Sequence, residues 1–297
     1  MATLSPDPTW LTAAGELLTL PYEFLRLSLA GTALVGVACG LLGCFIILRR
    51  LALFGDALGH AVLPGVLLGW VLGGRSSAAI LGGALLAGLA AAALVATIPR
   101  VSRHQPDTAI GVVFTGLFGL GVAILSVHQA GVSGVTSFLF GHALGIGPAD
   151  VAGAGALLAA ALGLLAVAWR PLQVLTFDPQ GAAVAGLPVV GLTATLMLVL
   201  TATVVVSLPI VGALLVVALL VIPGATAFLL VDRFGPMLGL AGLLGGLSAF
   251  GGLALSHLFG WASGASIVLA AAVQFALALG FHAARRRRRP GGPAARA

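Results

Sequence analysis

The sequence predicts an all-α bundle of helices that crosses a membrane many times. Three observations carry that expectation. Hydrophobic residues make up 60% of the 297-residue chain and charged residues only 7%, whereas a water-soluble domain carries about 25% charged residues. Apolar stretches of the roughly 20 residues a helix needs to cross a bilayer follow one another along most of the chain. All 14 basic residues are arginine, and they gather in the short breaks between those stretches.

Breaks at Arg, Pro and Gly clusters divide the chain into about nine spans, with eight to ten as the fair range. They fall near 24–48, 52–73, 77–98, 109–128, 149–169, 188–207, 210–230, 236–258 and 264–284. The first ends at Arg49-Arg50 and the second contains Pro64. Asp107 and Asp150 precede the fourth and fifth and suit helix N-caps, and Arg170 follows the fifth. The joint Ser207-Leu208-Pro209 is the weakest, because 188–230 is too long for one helix yet has almost no loop. A tight hairpin or a broken helix is expected there. The last span runs into Arg285–Arg289. Three regions result: an extracytoplasmic segment 1–22, a transmembrane domain 23–284 and a basic cytoplasmic tail 285–297.

With the N-terminus outside, Arg49, Arg50, Arg100, Arg103, Arg170, Arg233 and the final run all fall on the cytoplasmic side, and only Arg26 and Arg75 lie near the outer side. This is the asymmetry the positive-inside rule requires, and it favours an odd number of spans. The start of the chain is not a cleavable signal peptide, since it lacks a basic beginning and carries Asp7, Glu16 and Glu23. The formal charge of +6 reflects this basic tail and the rim arginines and is no sign of nucleic-acid binding. Cys39 and Cys44 are the two cysteines, read as small packing residues and not a disulfide. Gly36/Gly40, Gly69/Gly73 and Gly242/Gly246 are small-xxx-small pairs that let helix backbones approach closely.

A charged side chain in hydrocarbon costs about 2.5–3.5 kcal/mol on insertion scales, so an intramembrane acid needs a reason. Asp56 and His60 stand out. Their i, i+4 spacing puts both on one helix face. Asp56 lies six residues beyond Arg50, roughly 9 Å of helical rise inside the rim. Pro64 has no N–H to offer the carbonyl four residues earlier, which is that of His60. Carboxylate, imidazole and a released carbonyl at one level suit a divalent cation such as Mn²⁺, Zn²⁺ or Fe²⁺. One helix cannot complete the coordination sphere. The competing reading is that Asp56 hydrogen-bonds His60 and merely pins the structure. His128 and His142, flanking 129–148, and His257, near the outer end of a span, are weaker metal-contact candidates. His104 and His282 suit helix ends at the cytoplasmic face, and Asp232-Arg233 a solvated end pair.

Between two spans, Asp178 suits an N-cap, Pro179 a first helical position, Gly186 a C-terminal stop and Pro188 a block to continuation. The expectation is one short cytoplasmic helix, about 178–186, that a soluble partner could grip.

With these residues in view, the chain resembles the membrane permease subunits of ATP-binding-cassette importers for zinc, manganese and iron. The resemblance runs through most of the chain. It is carried most specifically by Arg49-Arg50-Leu-Ala-Leu-Phe-Gly-Asp56-Ala-Leu-Gly-His60-Ala-Val-Leu-Pro64-Gly-Val, then by Asp107-Thr-Ala-Ile-Gly, Ser137-Phe-Leu-Phe-Gly141, Asp178-Pro179 with Gly186-Leu-Pro188, Val211-Gly-Ala-Leu-Leu-Val, Leu220-Val-Ile-Pro223-Gly-Ala-Thr and Ser263-Gly-Ala-Ser-Ile-Val-Leu. It implies a multi-pass protein of the bacterial inner membrane that works as a homodimer. Cytoplasmic ATPase subunits would dock on a coupling helix around Asp178, Pro179, Gln180 and Gly186. An extracytoplasmic solute-binding protein would deliver the metal. Asp56 and His60 match the family's intramembrane metal-coordinating pair, and two-fold symmetry would bring two pairs together. Pro64 and Pro223 are expected to break their helices. No permanently bound cofactor is implied: the divalent metal, manganese, zinc or iron, is cargo. Two departures are visible. Gln180 stands where many relatives carry an acid, and His142 follows Phe140-Gly141 where Asn, Ser or Asp is frequent.

Other mechanisms fit less well. The chain has no lysine, hence no P-loop of its own, so it is not expected to be an enzyme and ATP hydrolysis belongs to another chain. A secondary transporter, the alternative, would want inverted repeats and more intramembrane acids. An intramembrane metalloenzyme would want an H-E-x-x-H-like ligand set plus a general base, and the only glutamates are Glu16 and Glu23, both near the N-terminus.

Overall fold

A computed structural model describes residues 22–74, 76–103, 105–128, 141 and 145–287. Among them the secondary structure is helical throughout. In chain order the helices are α1 (Glu23–Leu48), α2 (Ala52–Ala61), α3 (Leu63–Gly73), α4 (Ser77–Val101), α5 (Pro106–His128), α6 (Pro148–Phe177), α7 (Pro179–Val184), α8 (Val189–Val211), α9 (Ala213–Leu230), α10 (Phe234–Phe259) and α11 (Ser263–Arg287).

Among the described residues eight segments are long and apolar enough to span a bilayer, with α2 and α3 together counting as one, Leu53–Gly73. α9, with its apolar stretch Leu215–Leu230, is shorter than these. Val216, Leu219, Leu220 and Ala227 of α9 are completely buried, so this helix lies within the bundle.

The bundle is built around α1, which packs against α6, α9 and α10. Leu25, Val35, Ala38, Cys39, Leu42 and Cys44 are all sealed from solvent, and both cysteines are free. Lipid and protein interior are equally apolar, so contact between spans depends on close fit. The glycine pairs provide it. Gly36 and Gly40 lay their Cα atoms against the backbone of Gly245 and Ala241 in α10, and Gly43 against the carbonyl of Leu220 in α9. Gly69 and Gly73 likewise receive Ala79 of α4.

At one end of the bundle three aromatic rings converge on Phe234, the first residue of α10. Trp169 stacks on it at 5.3 Å between centroids, and Phe45 and Phe177 meet it edge-on at 5.5 and 5.6 Å. The C-terminal ends of α1 and α6 and the start of α10 therefore share one end, with Arg49, α7 and Arg233.

Several boundaries differ from those expected. α6 does not stop before Arg170 but runs 30 residues to Phe177. Pro171 has no N–H for the carbonyl of Val167, and the helix absorbs the defect as a kink at Ala168 (φ −110°, ψ 22°). The joint between α8 and α9 is at Gly212, not at Ser207-Leu208-Pro209. α8 continues through Pro209, and Gly212 adopts φ 80°, ψ 160°, a conformation only glycine takes readily. The break expected at Pro223 is absent, because α9 runs through it to Leu230. A transmembrane helix tolerates one missing amide donor when its neighbours pack around it, and here the following Gly224 lies directly on Gly43. Near Pro64 the helix does part, between Ala61 and Leu63, while Val62 keeps right-handed helical angles (φ −78°, ψ −14°). Asp107 and Asp150 sit inside the first turns of α5 and α6, not at the cap position. Asp150 Oδ2 accepts a hydrogen bond from the Gly147 N–H at 2.9 Å, which serves the same unpaired helix start from within.

Candidate functional site

Asp56 and His60 occupy successive turns of α2, a helix flanked by α5 and α9. The turn that leads into it is tight. Arg49 and Leu51 donate their N–H groups to Phe45 and Ile46, and Arg50 takes φ 56°. Desolvation of the partly buried Arg49 guanidinium lowers its pKa from the usual arginine value. The apolar face of α2 is held by Phe54 and Leu58, each 1% exposed, so the opposite face turns Asp56 outward.

His60 Nε2 lies 3.7 Å from Asp56 Oδ1, with side-chain exposures of 18% and 49%. That separation is too long for a hydrogen bond, so the reading in which the carboxylate simply bonds the imidazole does not describe the geometry. Two donors each about 2.1 Å from one ion at a tetrahedral angle stand about 3.4 Å apart. The observed gap is within a small side-chain adjustment of that value. Among the described residues no group of three or more His, Cys, Asp and Glu side chains gathers to hold a metal, and Asp56 and His60 are the two donors of these types that they bring together here.

Two side chains that sequence reasoning missed complete the surroundings. Phe114 and Phe118, one turn apart on α5, stack on each other at 5.9 Å and both meet the His60 ring edge-on, at 5.5 and 5.6 Å. In the sequence the pair is an ordinary apolar i, i+4 repeat, indistinguishable from a packing stripe. Farther along, Pro64 and Leu68 of α3 line an apolar groove of about 640 Å³ with Leu86 of α4 and Leu117 and Leu120 of α5.

The remaining candidates are dispersed. His257 lies in the last turn of α10, whose main neighbours are α1, α9 and α11, away from the Asp56 face. His128 is the final residue of α5. His142 falls outside the described residues, as do His104 and the Ser137–Phe140 stretch. At the other candidate region the geometry is well defined. Asp178 Oδ1 accepts from the Gly181 N–H at 2.8 Å and starts α7 ahead of Pro179. Gly186 ends the turn with φ 77°, while Gly186 and Leu187 N–H groups bond back to Ala183 and Ala182 at 3.1 and 3.0 Å. This is a paired C-terminal closure of the kind glycine favours. Pro179, Gln180 and Val184 are exposed, Val184 by 91%.

A family model described as the ABC 3 transport family matches residues 21–282, nearly the whole chain. The chain belongs to that family. Among its relatives, the manganese transport system membrane protein MntC of Halalkalibacterium halodurans is 41% identical over 265 residues, 88% of each chain. The chelated iron transport system membrane protein YfeC of Yersinia pestis is 35% identical over 255 residues, 85% of each chain. The solved structure of PsaBC from Streptococcus pneumoniae in complex with Fab superposes with a TM-score of 0.80 at 34% identity, covering 91% of this chain and 95% of that one. An ABC 3 family member is a transport protein, so the pair on α2 is to be judged as a place on a route across the membrane.

Proposed function

We propose that this chain is the membrane permease subunit of an ATP-binding-cassette importer in a bacterial inner membrane, moving a divalent transition metal into the cytoplasm by alternating access. Manganese is the leading cargo, ahead of iron and zinc. Relatives named for manganese and iron transport support the metal class, and the oxygen-plus-imidazole donor set suits manganese without excluding the others.

One observation carries the reading: a carboxylate 49% exposed beside an imidazole, both in the first half of the spanning segment Leu53–Gly73. Facing acyl chains, Asp56 would be costly. Facing a second copy of the chain across a two-fold axis, it would join another such pair and give four donors to one ion. Each pair binds weakly by itself, which suits an ion that must leave again. The apolar groove beyond His60 would be covered by the same second copy.

The remaining parts follow. With the N-terminus outside, α7 lies on the cytoplasmic side. There Asp178, Pro179, Gln180 and Gly186 present a rigid turn for the ATPase subunits. A solute-binding protein would deliver the ion from the opposite side, where His128, His142 and His257 are the candidate early contacts. The metal is cargo, and no resident cofactor enters the mechanism.

The test is uptake of manganese by cells depleted of other importers. Asp56→Ala and His60→Ala are each expected to abolish uptake while the subunit still assembles with its ATPase partner. Normal uptake by both variants would refute the site.

A further inference from the structure

A ligand histidine in a metal site is usually held by a hydrogen bond to its second ring nitrogen, which fixes how the ring faces the ion. The χ2 torsion of histidine is otherwise broad and roughly two-fold, so an unheld ring turns over and puts Cε1 where Nε2 stood and Cδ2 where Nδ1 stood. What His60 has against it is aromatic. Phe114 crosses its plane at 61° and Phe118 at 80°, and the two phenyl rings lie within 20° of parallel. Edge-to-face contact of this kind is favoured by the opposed charge of ring face and ring rim. The two rings are anchored differently. Phe114 packs on the core of the bundle, whereas Phe118 remains 37% exposed and is not needed as core filling. Its ring contacts are with His60 and Phe114. Both sit on α5, a different helix from the one that carries the donors, so the imidazole is braced from outside its own helix.

We propose that Phe114 and Phe118 are positioning residues for His60, holding the imidazole with Nε2 turned toward Asp56 so that the ion meets two donors already aligned. This rests on the reading of Asp56 and His60 as the transit site. An unbraced ring would spend only part of its time in the competent orientation, and apparent affinity falls by that fraction.

The experiment uses the purified permease with its ATPase subunits and Mn²⁺ alone, following binding by the loss of the free-ion electron paramagnetic resonance signal. Phe118→Leu keeps apolar bulk at a partly exposed position. It is expected to weaken Mn²⁺ binding by about tenfold, with the thermal midpoint of the complex unchanged. Phe118→Tyr, which keeps the ring, is expected to bind as the parent does. His60→Ala serves as the control for the site itself and is expected to lose binding. Parental affinity in Phe118→Leu, with binding lost in His60→Ala, overturns the positioning role and leaves the site standing. A Phe118→Tyr variant as weak as Phe118→Leu also overturns it, because the ring would then not matter. Parental binding in His60→Ala removes the site, and this proposal with it.

Discussion

Phe177, the last residue of α6, lies edge-on against Phe234, the first of α10, with 5.6 Å between ring centroids. The next residue is Asp178, which caps the short helix α7. Through Phe234 the α7 turn is thus tied to Trp169 on α6 and to Phe45 on α1, the helix at the centre of the bundle.

That hub gives the first prediction. Phe234 is 7% exposed and makes three aromatic contacts. Each such pair contributes about 0.5–1.5 kcal/mol beyond simple burial. Phe234→Leu should therefore destabilise the protein by about 1.5–4.5 kcal/mol. Thermal unfolding in detergent would show the loss as a lowered midpoint. Transport should fall further than ATP hydrolysis by the partner subunits, because the link from α7 to α1 is weakened. An unchanged midpoint would mean the rings only touch and do not hold.

The second concerns close helix contact. A Cβ at Gly43 would collide with the Leu220 carbonyl, and Gly224, one turn further along the same helix α9, also lies against the Gly43 backbone. Neither backbone can move without displacing a spanning helix, and overpacking a tight interior costs about 1–3 kcal/mol or more. Gly43→Ala should sharply reduce the folded protein recovered from membranes. Gly163→Ala is the contrast. Nothing lies within 4 Å of a Cβ there, so the substitution should be neutral or stabilise α6 by about 0.5–1 kcal/mol. Equal recovery of the two variants would contradict the packing.

The third tests α7. Asp178→Ala removes the acceptor for the Gly181 N–H, and loss of an N-cap costs about 1 kcal/mol. A fivefold drop in the equilibrium constant between intact and frayed turn follows from that figure, at about 1.4 kcal/mol per factor of ten. Copurification of the ATPase subunits and metal uptake should both decline, by up to about that factor. Asp178→Ser, which also caps, should restore most of each. Full coupling in Asp178→Ala would mean that the ATPase grips some other surface.

Much was legible from residue order alone. The spans follow from the apolar runs, because a helix in lipid must satisfy its backbone internally whatever its neighbours are. The α7 turn could be read from Asp178, Pro179, Gly186 and Pro188, because caps and stops act within a few residues. The spacing of Asp56 and His60 announced a shared face for the same reason: one helical turn is local geometry.

What order alone could not decide was set by contacts between distant segments. Pro171, Pro209 and Pro223 look like helix ends, yet the helices continue through all three. A missing hydrogen bond is a local loss, and packing against other helices outweighs it. Gly212 became the joint between α8 and α9 by taking a backbone conformation that only the arrangement of those helices required. The rings of Phe114 and Phe118 reach His60 from a helix more than 50 positions along the chain. Nothing in an apolar i, i+4 pair marks it as facing an imidazole instead of lipid, since both surroundings are equally apolar. Only the packing of α5 on α2 settles which one those rings meet.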